Sequence, residues 1–275
     1  MKTLTHIALG KYVAVDSPVH RLDPRTKLIA TLALMIAAVG CDNLAALVLF
    51  AAFVMVVARL SLLPQSMLLR SLRPFLWLFA FTLIMHSLMT PGRVILQVPL
   101  TDLGFTFEGL RFGTFFSIRL AILVSVASLL TLTTSPVEIT DGLERLLNPL
   151  RRFGFPAHEL AMMVTIALRF IPVLIEEAQR LHKAQLARGA DFSGGPVRRV
   201  RQLLPLLVPL FLSAFARADR LAIAMESRCY RGGVGRTNYR VLRLGRRDLA
   251  ASLTVSMTIA AATCLSLLLP PGYLA

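Results

Sequence analysis

The sequence predicts an all-α, polytopic membrane protein with about five transmembrane helices and a cytoplasmic domain of long amphipathic helices. Three observations predict it. Of the 275 residues, 56% are hydrophobic and the mean hydropathy is +0.68, above the 45–50% apolar content usual for soluble domains. The apolar residues gather into blocks of spanning or near-spanning length. The charge is lopsided, with 30 Lys+Arg against 15 Asp+Glu for a formal +15, and the basic residues cluster in particular connecting segments. Cytoplasmic loops of membrane proteins collect Lys and Arg, so the charge reads as topology rather than as nucleic-acid binding, for which there is no motif.

Residues 1–27 form a cytoplasmic or interfacial N-terminal segment. They hold Lys2, Lys11, Arg21, Arg25 and Lys27 with no apolar run ahead of residue 28, so no signal peptide is expected. Residues 28–134 are assigned to spans one to four. The stretch 28–58 has two apolar arms of about 14 residues around "CDN". Each is short against the ~20 residues of a full span. Arg25 and Lys27 flank one arm; Arg59, Arg70 and Arg73 flank the other. Placing both flanks in the cytoplasm makes the stretch a hairpin turning at Asp42-Asn43. The third span is 74–90, closed by Pro91-Gly92. Residues 91–111 read as a short outer connection, with Gly104 and Gly109 as turn punctuation. The fourth span, 112–134, contains Arg119, which is either a functional charge at depth or a side chain snorkelling to the headgroups.

Residues 135–248 hold 19 Arg+Lys and 10 Asp+Glu, the densest charge in the chain, and read as a cytoplasmic domain. Their apolar blocks are interrupted by prolines. From Arg217 onward, charges alternate with Ala218, Leu221, Ala222, Ile223 and Met225 at amphipathic helical spacing. Gly189 and Gly232-Gly233 mark helix stops. Residues 249–275 form the last span and the C-terminus, with Ala275 on the outside.

Enzymatic chemistry has no carrier here. All four lysines lack a phosphate-loop context, and there is no G-x-S-x-G. The five histidines show no metal-ligand pairing. Cys41, Cys229 and Cys264 are too scattered for a zinc site or a disulfide framework. Glu176-Glu177 point about 100° apart on a helix and belong to a solvated face. No cofactor and no metal is expected.

Two helices of the basic segment each finish on an arginine between small residues: Ala187-Arg188-Gly189 and Ser227-Arg228-Cys229. An arginine there meets the negative end of the helix dipole. It also offers a planar fork of donors to carboxylates on another surface, with little bulk beside it. With "SPVHRLDPRTKL" (17–28), which contains Asp23, Pro24 and Arg25, and with "LARG" and "LAIAMESRCYRGG" followed by "RT" (236–237), the chain resembles the transmembrane T component of energy-coupling factor (ECF) transporters, the EcfT/CbiQ family. The resemblance covers nearly the whole chain.

The resemblance implies a non-catalytic, energy-coupling subunit of an ABC-type importer in a prokaryotic cell membrane, multi-pass, with a cytoplasmic N-terminus. It implies two ABC-type ATPase partners, as a homo- or heterodimer, docked at two Ala-Arg-Gly helix ends. It also implies a membrane-embedded, substrate-binding S component that takes up a vitamin or a transition-metal ion. The first motif matches at Ala187, Arg188 and Gly189. The second departs from it: Ser227 stands for Ala and Cys229 for Gly, and only Arg228 is kept. The alternative is a stand-alone secondary carrier or membrane scaffold. Carriers often show repeated halves and charges at the midplane; this chain has no duplicated halves and only Arg119 at depth.

Overall fold

A computed structural model describes residues 12–97, 104–190, 195–232 and 244–268. Nine α-helices and one β-hairpin are formed among them: α1 (Pro24–Gly40), α2 (Leu44–Leu60), α3 (Gln65–Leu72), α4 (Leu76–Met89), β1 (Val94–Gln97), β2 (Gly104–Thr106), α5 (Phe107–Thr133), α6 (Pro136–Leu147), α7 (Ala157–Ala187), α8 (Pro196–Ser227) and α9 (Arg246–Leu268). The protein is an all-α, polytopic membrane protein. The described residues divide into two compact units, one built from residues up to Leu143 together with those after Val241, the other from Glu144–Val241.

In the first unit, α1 and α2 are the arms of the hairpin expected from the sequence. Cys41 is extended, and Asn43 caps α2 by accepting the Ala45 amide at 2.9 Å. The arms run antiparallel. Lys27 at the start of α1 reaches the carbonyl of Thr133 at the end of α5, whereas Arg119, midway along α5, reaches Cys41 and Asp42 at the turn. Leu60, at the end of α2, returns to the level of Thr26 and Thr133. Each arm has 17 residues, about 25 Å of helix, short of the ~30 Å hydrocarbon core. Arg119 therefore has a structural explanation. It binds the Cys41 carbonyl, pairs with Asp42 at 3.2 Å, and lies 4.7 Å and 5.2 Å from the Phe115 and Phe116 ring centres. It pins the hairpin turn to α5.

In the connection after α4, β1 and β2 pair antiparallel, which the sequence does not suggest. Gly109 is not turn punctuation. It lies inside α5, where a Cβ would come within 2.4 Å of the His86 carbonyl oxygen, and a Cβ at Gly113 would stand 3.0 Å from Leu83 Cα. Small residues let α4 and α5 pack backbone to backbone, as apolar helices in membranes require. Thr106 caps α5, accepting the Gly109 amide at 3.1 Å while donating to the Thr90 carbonyl at 2.8 Å. The buried core of this unit centres on Phe50, Leu47, Ala46 and Ala262.

In the second unit, α7 and α8 pack against each other. They have 31 and 32 residues and run unbroken through Pro172, Pro205 and Pro209, where the sequence suggested interruptions. Each proline removes one backbone donor, and continuous helix on both sides outweighs that loss. Leu204, Leu207, Val208, Phe211, Leu212 and Phe215 form an exposed apolar stripe on α8.

Four described helical stretches have the length and hydropathy to cross a membrane: Gln65–Met89 (α3 and α4 joined by a 3₁₀ turn), Phe107–Thr133, Ala157–Ala187 and Arg246–Leu268; Leu44–Leu60 is apolar but shorter. Gly233, the "RT" at 236–237, Arg243 and Pro270-Pro271 lie outside the described residues.

Candidate functional site: two matching helix ends and an N-terminal clasp

The last turns of α7 and α8 have the same backbone geometry. Arg188 and Arg228 each occupy the C-cap, with φ/ψ of −85°/8° and −92°/15°. After α7, the Gly189 amide donates to the Leu186 carbonyl and the Ala190 amide to the Gln185 carbonyl, both at 3.0 Å. After α8, the Cys229 amide donates to the Glu226 carbonyl at 2.8 Å and the Tyr230 amide to the Met225 carbonyl at 3.1 Å. These paired bonds form a Schellman motif, and they occur at equivalent positions in both helices. Both arginines, and the residues on either side of each, are exposed. Neither guanidinium hydrogen-bonds or ion-pairs with another described residue.

The motif needs a left-handed residue just after the arginine. Gly189 supplies it at φ +82°, and a Cβ there would meet nothing within 4 Å, so glycine serves conformation rather than space. Cys229 holds the same position at φ +56°, at a cost of about 1–2 kcal/mol for an L-residue. Ser227 donates its hydroxyl to the Ile223 carbonyl at 2.7 Å, so it presents little more to a partner than alanine would. The departures from the Ala-Arg-Gly pattern thus leave the shape of the helix end intact. Cys229→Gly is expected to relieve strain of about 1 kcal/mol and to slow amide exchange at Tyr230 about fivefold. Gly189→Cys should speed exchange at Ala190 by a similar factor. Unchanged exchange in both variants would mean that the left-handed residue carries no strain.

Asp23, Pro24 and Arg25 sit in the other unit and open α1. The buried Asp23 is the N-cap, accepting the Arg25 amide at 3.0 Å, and Pro24 fills the first helical position, where no donor is needed. The Asp23 amide donates to Asp248 Oδ1 at 2.7 Å, and Asp248 Oδ2 accepts the Gly245 amide at 2.8 Å. Lys27 is buried and donates from Nζ to the carbonyls of His20 and Thr133, both at 3.0 Å. The Val13 amide donates to the Leu132 carbonyl at 3.1 Å. Two orphan carbonyls at the end of α5 are thereby satisfied. His20 Nε2 contacts the Val13 carbonyl at 3.1 Å, so it must carry the proton, and Nδ1 accepts from the Ser17 hydroxyl at 2.7 Å. Burial, then the Lys27 charge, push the His20 pKa down, which favours this neutral tautomer. Arg21 pairs with Asp16 and lowers that carboxyl's pKa.

The N-terminal motif is therefore a clasp joining the starts of α1 and α9 to the end of α5. Sequence reasoning named Asp23, Pro24 and Arg25 but missed Asp248, and it used Lys27 only as a topology marker. Gly245 three residues before Asp248 was the available cue, since a short acidic side chain folds back onto an amide at that spacing. No group of three or more His, Cys, Asp or Glu side chains is arranged to hold a metal ion among the described residues.

Residues 16–239 match the family described as "CbiQ: Cobalt transport protein". The chain belongs to the CbiQ/EcfT family. It is 53% identical to the energy-coupling factor transporter transmembrane protein EcfT of Heliobacterium modesticaldum, over 92% of this chain and 95% of that one. It is 50% identical to the protein of that name from Thermosediminibacter oceani, over 92% and 96%, and 48% identical to that from Bacillus subtilis, over 92% and 95%. Family membership and the apolar helices together make the chain a multi-pass membrane protein of a transporter family.

Proposed function

We propose that the chain is the energy-coupling T subunit of an ECF-type importer. In this reading Arg188 and Arg228 dock two ABC-type ATPases, and the clasped helices hold an S component that takes up a vitamin or a transition-metal ion. The observation that carries the reading is the pair of matching helix ends. Each presents an exposed arginine on a fixed backbone, flanked by Ala187 and Gly189 in one case and Ser227 and Cys229 in the other. A carboxylate-lined groove on an ATPase suits such a fork. The chain itself would be non-catalytic.

Residues 135–248 form the cytoplasmic coupling domain in this reading, although α7 has the hydropathy of a span. The charge pattern supports this placement. Arg145, Arg151 and Arg152 precede α7, and Arg188, Arg198, Arg199 and Arg201 follow it. A crossing would put one basic cluster outside, against the rule that basic flanks stay in the cytoplasm. The exposed stripe on α8 then needs a partner surface to cover it, and the S component supplies one. Cysteine-accessibility mapping is expected to label 135–248 from the cytoplasmic side and Ala275 from the other. A cytoplasmic Ala275 would overturn the count of five crossings.

The test is co-expression with the two ATPases of its own transporter. They are expected to co-purify with the chain and to hydrolyse ATP, whereas the chain alone hydrolyses none. Isolation without ATPases, or robust turnover by the single chain, would refute the role.

A further inference from the structure

We infer that the first unit carries a binding slot for one anionic phospholipid, with an acyl chain held between α1, α2, α5 and α9 and the headgroup at Arg247. A cavity of about 440 Å³ opens between these helices, within the range of about 300–1,000 Å³ that small-molecule sites occupy. Its walls are positions 26–34 of α1, 53–60 of α2, 126–133 of α5 and 247–255 of α9. Each wall covers seven or eight steps of helix, about 10–12 Å at 1.5 Å per residue. The cavity is therefore a slot lying along the helices rather than a pit across them, which is the shape an extended hydrocarbon chain fills.

The chemistry of the walls agrees. Below the rim the slot is lined by side chains such as Ala30, Leu34, Val57, Val126 and Val255, and its charged lining residues are Lys27 and Arg247, with no carboxylate. Lys27 is committed to the carbonyls of His20 and Thr133. The neighbouring acids are committed as well: Asp16 to Arg21, and Asp248 to the amides of Asp23 and Gly245. Arg247 is exposed, and its guanidinium makes no hydrogen bond or ion pair among the described residues. Its field reaches Asp16 without forming a contact. A cation without a hydrogen-bond partner at the mouth of an apolar slot, beside a bilayer, complements an anionic headgroup whose tail enters the slot. Basic pockets between transmembrane helices on the cytoplasmic side are a recognised form of lipid site. The proposal stands on the first unit alone and does not depend on the coupling role of Arg188 and Arg228.

The full-length chain, purified in mild detergent, would be titrated with phosphatidylglycerol and phosphatidylcholine of matched acyl chains and read by native mass spectrometry. One tightly held phosphatidylglycerol per chain is expected, with at least about fivefold preference over phosphatidylcholine, the contribution of one arginine near a lipid surface. Arg247→Gln should erase the preference while retaining binding. Ala251→Phe, which fills the slot, should abolish tight binding of both lipids. Wild-type protein that holds the two lipids equally, or that holds neither, would overturn the site. So would an Ala251→Phe variant that melts like wild type yet retains phosphatidylglycerol.

Discussion

Exchanging Arg188 and Arg228 together for glutamate is expected to abolish substrate uptake by the assembled transporter and to prevent recovery of the ATPases in a pull-down. Truncating one partner of a buried, hydrogen-bonded charge pair costs about 2–5 kcal/mol, about 30- to 5,000-fold in affinity per site. Glutamate adds like-charge repulsion, so Arg188→Glu should weaken docking more than Arg188→Ala. Arg188→Lys keeps the charge but loses the planar fork and should fall between alanine and wild type. Arg188→Glu should also impair uptake at least as much as Arg228→Glu, because the left-handed position after it is an unstrained Gly189 rather than Cys229.

The fold of the helix ends should survive these changes, since the paired bonds around both arginines use backbone amides and carbonyls, not guanidinium groups. If the arginines only complemented their helix dipoles, each would be worth about 0.3–1 kcal/mol. The double variant would then bind ATPases and transport normally. Normal pull-down together with normal uptake in the double variant would refute the coupling role.

The parts of this architecture that follow from local rules were legible in the sequence, and the parts that depend on distant pairing were not. The hairpin at 28–58 was readable because an Asp-Asn pair interrupts two apolar arms whose outer flanks are both basic. The ends of α7 and α8 were readable because glycine or a small residue follows an arginine after an amphipathic run. Cys229 shows the limit: it departs from the glycine of the pattern, yet it takes the left-handed conformation and the hydrogen bonds of Gly189. The two local hydrogen bonds that close the helix end offset a penalty of that size. Prolines 172, 205 and 209 misled for the same reason, since a single lost donor does not end a helix held over 31 or 32 residues. Gly109 reads locally as turn punctuation. Its reason is the His86 backbone on another helix, which no local pattern reports. The link from Asp248 to Asp23 was illegible on the same grounds, because the two are 225 positions apart; only the local turn onto the Gly245 amide left a cue.

That separation makes Asp248 the sharpest probe of the clasp. Its carboxylate accepts two backbone amides, from Asp23 and from Gly245, and the side chain is buried. Hydrogen bonds to a charged group are worth about 1.5–3 kcal/mol each, and a buried amide left without an acceptor bears its full desolvation cost. Asp248→Ala should therefore destabilise the first unit by about 3 kcal/mol or more, lowering its apparent melting temperature in detergent by about 5–10 °C. Asp248→Asn should lie between, because one of its oxygen sites remains while its amide group faces the other donor. The second unit keeps its own packing of α7 on α8, so both variants should still recover the ATPases at low temperature. That separates the clasp from the coupling ends: Arg188 and Arg228 changes should cost docking without melting temperature, and Asp248 changes the reverse. An Asp248→Ala variant that melts within about 1 °C of wild type would mean the Asp23 and Gly245 amides find other partners and that α9 is not tied to the N-terminal motif through this carboxylate.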